Sequence, residues 1–241
     1  MAMTLNRSTG PGRTSQIPAS TPSDDIRFFI DSADRAACEP WLNIGMFSGV
    51  TTNPQLMREA SRHISDIKDI YNWARDAGAR EVCFQAWGPT VEDQYRSAME
   101  IREIAPSATI KVPCTRVGAQ TISRLRDQDV PVLLTAVYSA KQALIGSALG
   151  VKYIAPYFNR MFRAGLDGTE EITHMIRAIP QDGTGPMIMA ASIKSAKHLV
   201  TLTDIGVRVF TVSPEVLDDL FTDDLTDKAV GDFETFMIDV R

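Results

Sequence analysis

From Arg27 onward, short apolar stretches alternate with helical patterns about a dozen residues long, and this alternation restricts the fold more than any other feature of the chain. It is the pattern of repeated strand–helix units building a parallel sheet. The spacing predicts eight strands, at residues 27–31, 49–51, 82–85, 109–112, 132–136, 153–156, 187–191 and 208–212. Several are near-continuous apolar runs, as expected of strands covered on both faces. Helices are expected at 64–77, 91–104, 118–127, 140–149 and 170–179. In the first of these, Ile64, Ile67, Ile70, Tyr71 and Ala74 share one helical face. Thr90 suits a helix cap with Asp93 in the first turn, and Gly78 and Gly150 stand where helices should stop. Eight such repeats in an α/β chain point to a TIM (β/α)8 barrel. The alternative, an open doubly wound sheet, would be favoured by a glycine-rich loop after the first strand, but residues 31–38 contain no glycine.

A chain of 241 residues accommodates one such barrel. Residues 1–25 are rich in Ser, Thr, Pro and Gly, too poor in apolar surface to offset their ordering entropy, and are expected to form a flexible tail. They also lack the apolar segment of a signal peptide. Residues 26–241 are then a single barrel domain, ending in a helix over 228–241 with Val230, Phe233, Met237 and Val240 at helical spacing. Hydrophobic content of 44% and charge of 23%, with no apolar run near the ~18 residues of a membrane span, exclude a bilayer-crossing helix. A net charge of −5 argues against a general nucleic-acid partner and leaves small molecules. Cys38, Cys83 and Cys114 have no metal-ligand spacing and cannot all pair, which suits a reducing cytoplasm. His63, His174 and His198 are scattered and read as surface or structural residues.

Barrel chemistry gathers at the C-terminal ends of the strands. Uncommon polar residues recur there: Asp31, Thr51, Asn53, Gln85, Lys111, Thr135, Tyr157, Ser192 and Lys194. Each has a bland explanation as well. Asp31 suits a helix cap, Asn53 with Pro54 a turn, Gln85 a hydrogen-bonded core amide, Tyr157 an amphipathic rim and Lys111 a solvated edge strand. Lys111, however, sits among Ile110, Val112 and Pro113, in a run that reads as buried. A buried amine without a partner favours its neutral, nucleophilic form. An amine for a carbonyl, a carboxylate to move a hydroxyl proton and several hydrogen-bonding groups are the equipment of a Schiff-base aldolase. No carboxylate cluster suggests a divalent metal, and this chemistry calls for no cofactor.

Six short segments, in order, carry a resemblance to the transaldolase family and its smaller branch that includes fructose-6-phosphate aldolase. They are Phe29-Ile30-Asp31, Gly49 to Pro54, Ile110 to Pro113, Thr135 to Tyr138, Ala155 to Arg160, and Ala190-Ala191-Ser192. The resemblance implies that Lys111 is the imine-forming lysine and Asp31 the acceptor of the C4 hydroxyl proton, while Thr51 and Asn53 hold the dihydroxyacetone portion. It makes Arg160 and Ser192 phosphate-binding positions, with Lys194 where transaldolases often carry arginine. Gln85, Thr135 and Tyr157 would hold the water that relays protons to the imine. The implied substrates are a ketose phosphate such as fructose 6-phosphate and an aldehyde acceptor. Transaldolases of the family usually have glutamate and phenylalanine where this chain has Gln85 and Tyr157, so the resemblance leans to aldol cleavage, with dihydroxyacetone transfer as the alternative. A non-catalytic sugar-phosphate binder is the alternative of another class. Trp87, Gln55 and Leu56 depart from the aldolase pattern and are expected to reshape the pocket. The C-terminal helix is expected either to close the barrel or to pack on a neighbouring subunit, and assembly into a homo-oligomer is expected as well.

Overall fold

Eight parallel strands close on themselves in chain order, β1 pairing with β2 on one side and β8 on the other. They are β1 (Arg27–Asp31), β2 (Phe47–Thr51), β3 (Glu81–Gln85) and β4 (Thr109–Pro113), followed by β5 (Val132–Val137), β6 (Tyr153–Pro156), β7 (Met187–Ala190) and β8 (Val209–Val212). This computed structural model describes residues 26–180 and 182–240. The flexible tail expected over residues 1–25 lies outside the described residues. Helices outside the barrel follow the strands: α1 (Arg35–Leu42), α2 (Pro54–Glu59), α3 (Ile67–Asp76), α4 (Val91–Ile104), α5 (Arg116–Arg126) and α6 (Ala140–Leu149). The series continues with α7 (Phe158–Arg163), α8 (Gly168–Ala178), α9 (Ala196–Asp204), α10 (Pro214–Phe221) and α11 (Asp224–Asp239). The TIM barrel expected from the repeats is the observed fold.

Alternation along the strands sorts side chains into two separate cores. Ile30, Val50, Val82, Phe84, Ile110 and Val112 face outward and join the helices in one large cluster. Phe29, Cys83, Leu133, Tyr153, Met189 and Val209 fill the barrel interior as a second cluster. Beneath that inner plug lies a polar floor. Glu81 accepts from Tyr153 Oη at 3.0 Å and from Lys152 Nζ at 2.9 Å, and also from the Thr109 hydroxyl. Charge is thus kept to the two ends of the barrel, with apolar side chains between.

Local chemistry sets the boundaries. The Thr90 hydroxyl accepts from Asp93 N and starts α4, and Gly150 ends α6 in the left-handed conformation at φ 68°. Asn53, read as part of a turn, instead caps α2, with Pro54 at the first helical position. In β5 the register slips between Leu134 and Val137 and Ala136 takes φ 57°, a bulge just after Thr135. The C-terminal helix does not close the barrel. Its apolar residues stand exposed, Leu225 at 78%, Phe233 at 64% and Phe236 at 61%. Among the described residues, no helix is long and apolar enough to cross a membrane.

Candidate active site

Lys111, in the middle of β4, is only 4% exposed, yet it reaches a cavity of about 700 Å³ at the C-terminal mouth of the barrel. Leu133 and Ala155 of the inner core supply apolar wall beside it. Among the described residues no ion pair reaches its side chain. Three carboxylate- or hydroxyl-bearing strand ends surround the same space: Asp31 from β1, Thr135 from β5 and Tyr157 just beyond β6.

Asp31 is held from below. Thr51, fully buried on the adjacent strand, donates its hydroxyl to Asp31 Oδ1 at 2.6 Å, and Thr211 of β8 lies 2.5 Å from the same Thr51 oxygen. A threonine has one hydroxyl hydrogen, so with that of Thr51 on the carboxylate, Thr211 is the donor in the second bond. The three residues form one directed chain, Thr211 to Thr51 to Asp31, in which each bond polarises the next. Thr51 does not line the cavity.

On the opposite wall, Thr135 Oγ1 and Tyr157 Oη are 2.8 Å apart, and the Tyr157 ring packs edge-on against Tyr138 at 5.6 Å. The Arg160 guanidinium lies over that ring, 4.8 Å from its centre. Ser192 follows β7 with φ 57°, a backbone setting that serine rarely adopts and that is concentrated at functional sites. Lys194 is exposed at the rim, its backbone N–H donating to His198 Nδ1 at 3.4 Å. A hydrogen bond from Ser213, its own backbone N–H and the charge of Lys194 hold the Glu215 carboxyl below its ordinary range.

Asn53 and Gln85 sit at a boundary. The Asn53 carbonyl oxygen accepts from Gln55 N at 2.9 Å and Leu56 N at 3.0 Å, leaving its amide nitrogen for the cavity, which it lines. Gln85 neighbours Lys111 in the sheet register but lines a second, apolar cavity of about 790 Å³ together with Trp87, Phe84 and Met57. Eight of the ten residues singled out in the sequence therefore share the main cavity, while Thr51 and Gln85 are not part of its lining. Arg163 and Glu215 also line it, and sequence reading missed their place there, whereas Gln55 and Leu56, expected to reshape the pocket, line it as well. Arg163 follows Arg160 by one helical turn and Glu215 follows the end of β8, signals that the strand-end rule contains.

A family model described as transaldolase/fructose-6-phosphate aldolase matches residues 28–239. The chain belongs to that family. It is an enzyme of the transaldolase family, and membership implies a sugar-phosphate substrate and an aldehyde acceptor. Curated relatives named "probable transaldolase" include one from Roseobacter denitrificans, 32% identical over 216 residues, covering 86% of this chain and 94% of the relative. Others from Cereibacter sphaeroides and Paracoccus denitrificans are 32% identical over 217 and 209 residues, covering 87% and 86% of this chain and 94% of each relative. Among the described residues, no group of three or more His, Cys, Asp and Glu is placed to hold a metal ion.

Proposed function

We propose that this transaldolase-family enzyme works through a Schiff base on Lys111, removing the dihydroxyacetone unit of a ketose phosphate such as fructose 6-phosphate. The observation that carries the reading is the convergence of Lys111, Asp31 and the Thr135–Tyr157 pair on one cavity. In this mechanism the Lys111 nitrogen attacks the C2 ketone, water leaves and a protonated imine forms. Asp31 takes the proton of the C4 hydroxyl, C4 becomes an aldehyde carbonyl, and the C3–C4 electron pair moves toward the iminium nitrogen. An aldose phosphate departs, leaving an enamine on Lys111. Asn53 holds the dihydroxyacetone hydroxyls, Thr51 orients Asp31, and Arg160, Ser192 and Lys194 bind the phosphate.

The enamine has two fates. Protonation at C3 followed by hydrolysis releases dihydroxyacetone, the aldolase outcome. The Thr135–Tyr157 hydrogen bond supports it by offering a seat for the hydrolytic water. Capture by a second aldehyde is transaldol transfer, favoured by the names of the relatives. Incubating the protein with fructose 6-phosphate, with and without erythrose 4-phosphate, separates them. Free dihydroxyacetone without acceptor supports cleavage, and strict dependence on acceptor overturns it in favour of transfer.

The described residues of 26–241 would act as one catalytic unit, assembled into a homo-oligomer through the exposed apolar residues of α11. The free thiols Cys38, Cys83 and Cys114 fit a reducing cytoplasm.

A further inference from the structure

Arg160 is not left to find its own orientation. Besides stacking over Tyr157, its Nη2 donates to Gln55 Oε1 at 3.4 Å, a contact that reaches from α7 to α2. Gln55 Nε2 in turn donates to Glu59 Oε1 at 2.8 Å, one turn along α2. The chemistry at both ends dictates the residue between them. A guanidinium only donates and an ionised carboxylate only accepts, so the middle group must accept on one side and donate on the other. A primary amide does both, and the same two neighbours fix which way round it sits. Gln55, Glu59 and Arg160 all line the main cavity, and the start of α2 that carries Gln55 is the turn capped by Asn53.

We propose that Gln55 is a positioning residue for phosphate recognition. Braced by Glu59, it holds the Arg160 guanidinium over Tyr157 and leaves the remaining N–H donors for the substrate phosphate. This rests on Arg160 being a phosphate-binding residue, as read above. Gln55 touches no reacting atom, so its contribution lies in substrate affinity and not in bond cleavage. It should also be confined to substrates that carry a phosphate.

The test compares the parent enzyme, Gln55→Met, Arg160→Met and the double variant, measuring kcat and KM with fructose 6-phosphate and with unphosphorylated fructose. Methionine keeps the length and helix propensity of glutamine at this exposed site. Gln55→Met is expected to raise KM for fructose 6-phosphate about three- to tenfold, the net size of one ordinary hydrogen bond, as suits a long bond at an exposed site, with kcat unchanged within about twofold. Fructose kinetics should not move, and adding Gln55→Met to Arg160→Met should cost nothing further. An equal effect on both sugars, or full additivity alongside a normal Arg160→Met penalty, overturns the role of Gln55 alone. An Arg160→Met variant with unchanged KM for fructose 6-phosphate overturns the phosphate assignment and the role of Gln55 with it.

Discussion

Replacing Thr51 by valine removes one oxygen from the middle of the Thr211–Thr51–Asp31 chain and almost no volume. Both of its bonds are short, 2.6 Å to Asp31 and 2.5 Å to Thr211, and the side chains of Thr51 and Thr211 are buried, so no bulk water replaces the lost hydroxyl. A hydrogen bond to a charged group contributes about 1.5–3 kcal/mol, and part of that range covers the Thr211 donor left without an acceptor. At roughly 2–4 °C per kcal/mol for a domain of this size, Tm should fall by about 3–12 °C. Asp31, freed on one side, should lose its fixed aim at the substrate, and kcat should drop by roughly one to two orders of magnitude, the usual result of misplacing a reacting group by about an ångström. The control is Thr51→Ser, which keeps the hydroxyl and should retain most of kcat. Steady-state cleavage or transfer of fructose 6-phosphate, with thermal melts in parallel, reads both effects. Equal kcat losses in the serine and valine variants would refute the role assigned to the hydroxyl, as would a valine variant with parent kcat and Tm.

Other sites make sharper structural demands. A Cβ on Gly49 would lie 1.9 Å from the Glu81 carbonyl oxygen and 3.1 Å from Phe29 Cε1, so Gly49→Ala must push β2 off β3. It should cost more than the ~1–3 kcal/mol of ordinary overpacking and give insoluble or molten protein; a cooperative melt close to that of the parent would contradict this. Burial pushes the Cys38 thiol up to about 12 and raises those of Cys83 and Cys114 as well, so at pH 8 all three are held protonated while the chain is folded. A disulfide reagent should therefore titrate Cys38 and Cys83 only after denaturation, and rapid labelling of three thiols in native protein would be inconsistent with the buried positions. If α11 joins copies of the chain, Phe233→Glu with Phe236→Glu should lower the mass seen by light scattering to that of one chain while the fold survives, and an unchanged mass would remove the helix from the interface.

The strands were readable because helix-covered parallel strands require apolar runs, and the interruptions of those runs, Asp31, Thr51, Lys111 and Thr135, mark where the barrel opens. The short helices were not. Elements such as α2 and α7, six residues each, are too brief for a helical period to show, so Asn53-Pro54 passed as a turn although a capping side chain before proline is a helix-start signal. Which of two adjacent cavities a residue lines was also beyond reach. Gln85 belongs to a strand end like its neighbours, yet it lines the cavity shared with Trp87 and not the main one. The Gln55–Arg160 bridge joins residues 105 apart, and nothing local to either announces the other.

The proposed mechanism stands on an amine, Lys111, that lies nearly buried at the cavity wall with no counter-ion among the described residues. Reduction with borohydride in the presence of fructose 6-phosphate or dihydroxyacetone, followed by peptide mass mapping, tests it directly. A stable three-carbon adduct on Lys111, absent from Lys111→Ala, is the predicted result. An unmodified Lys111 in protein that turns the substrate over would contradict the mechanism.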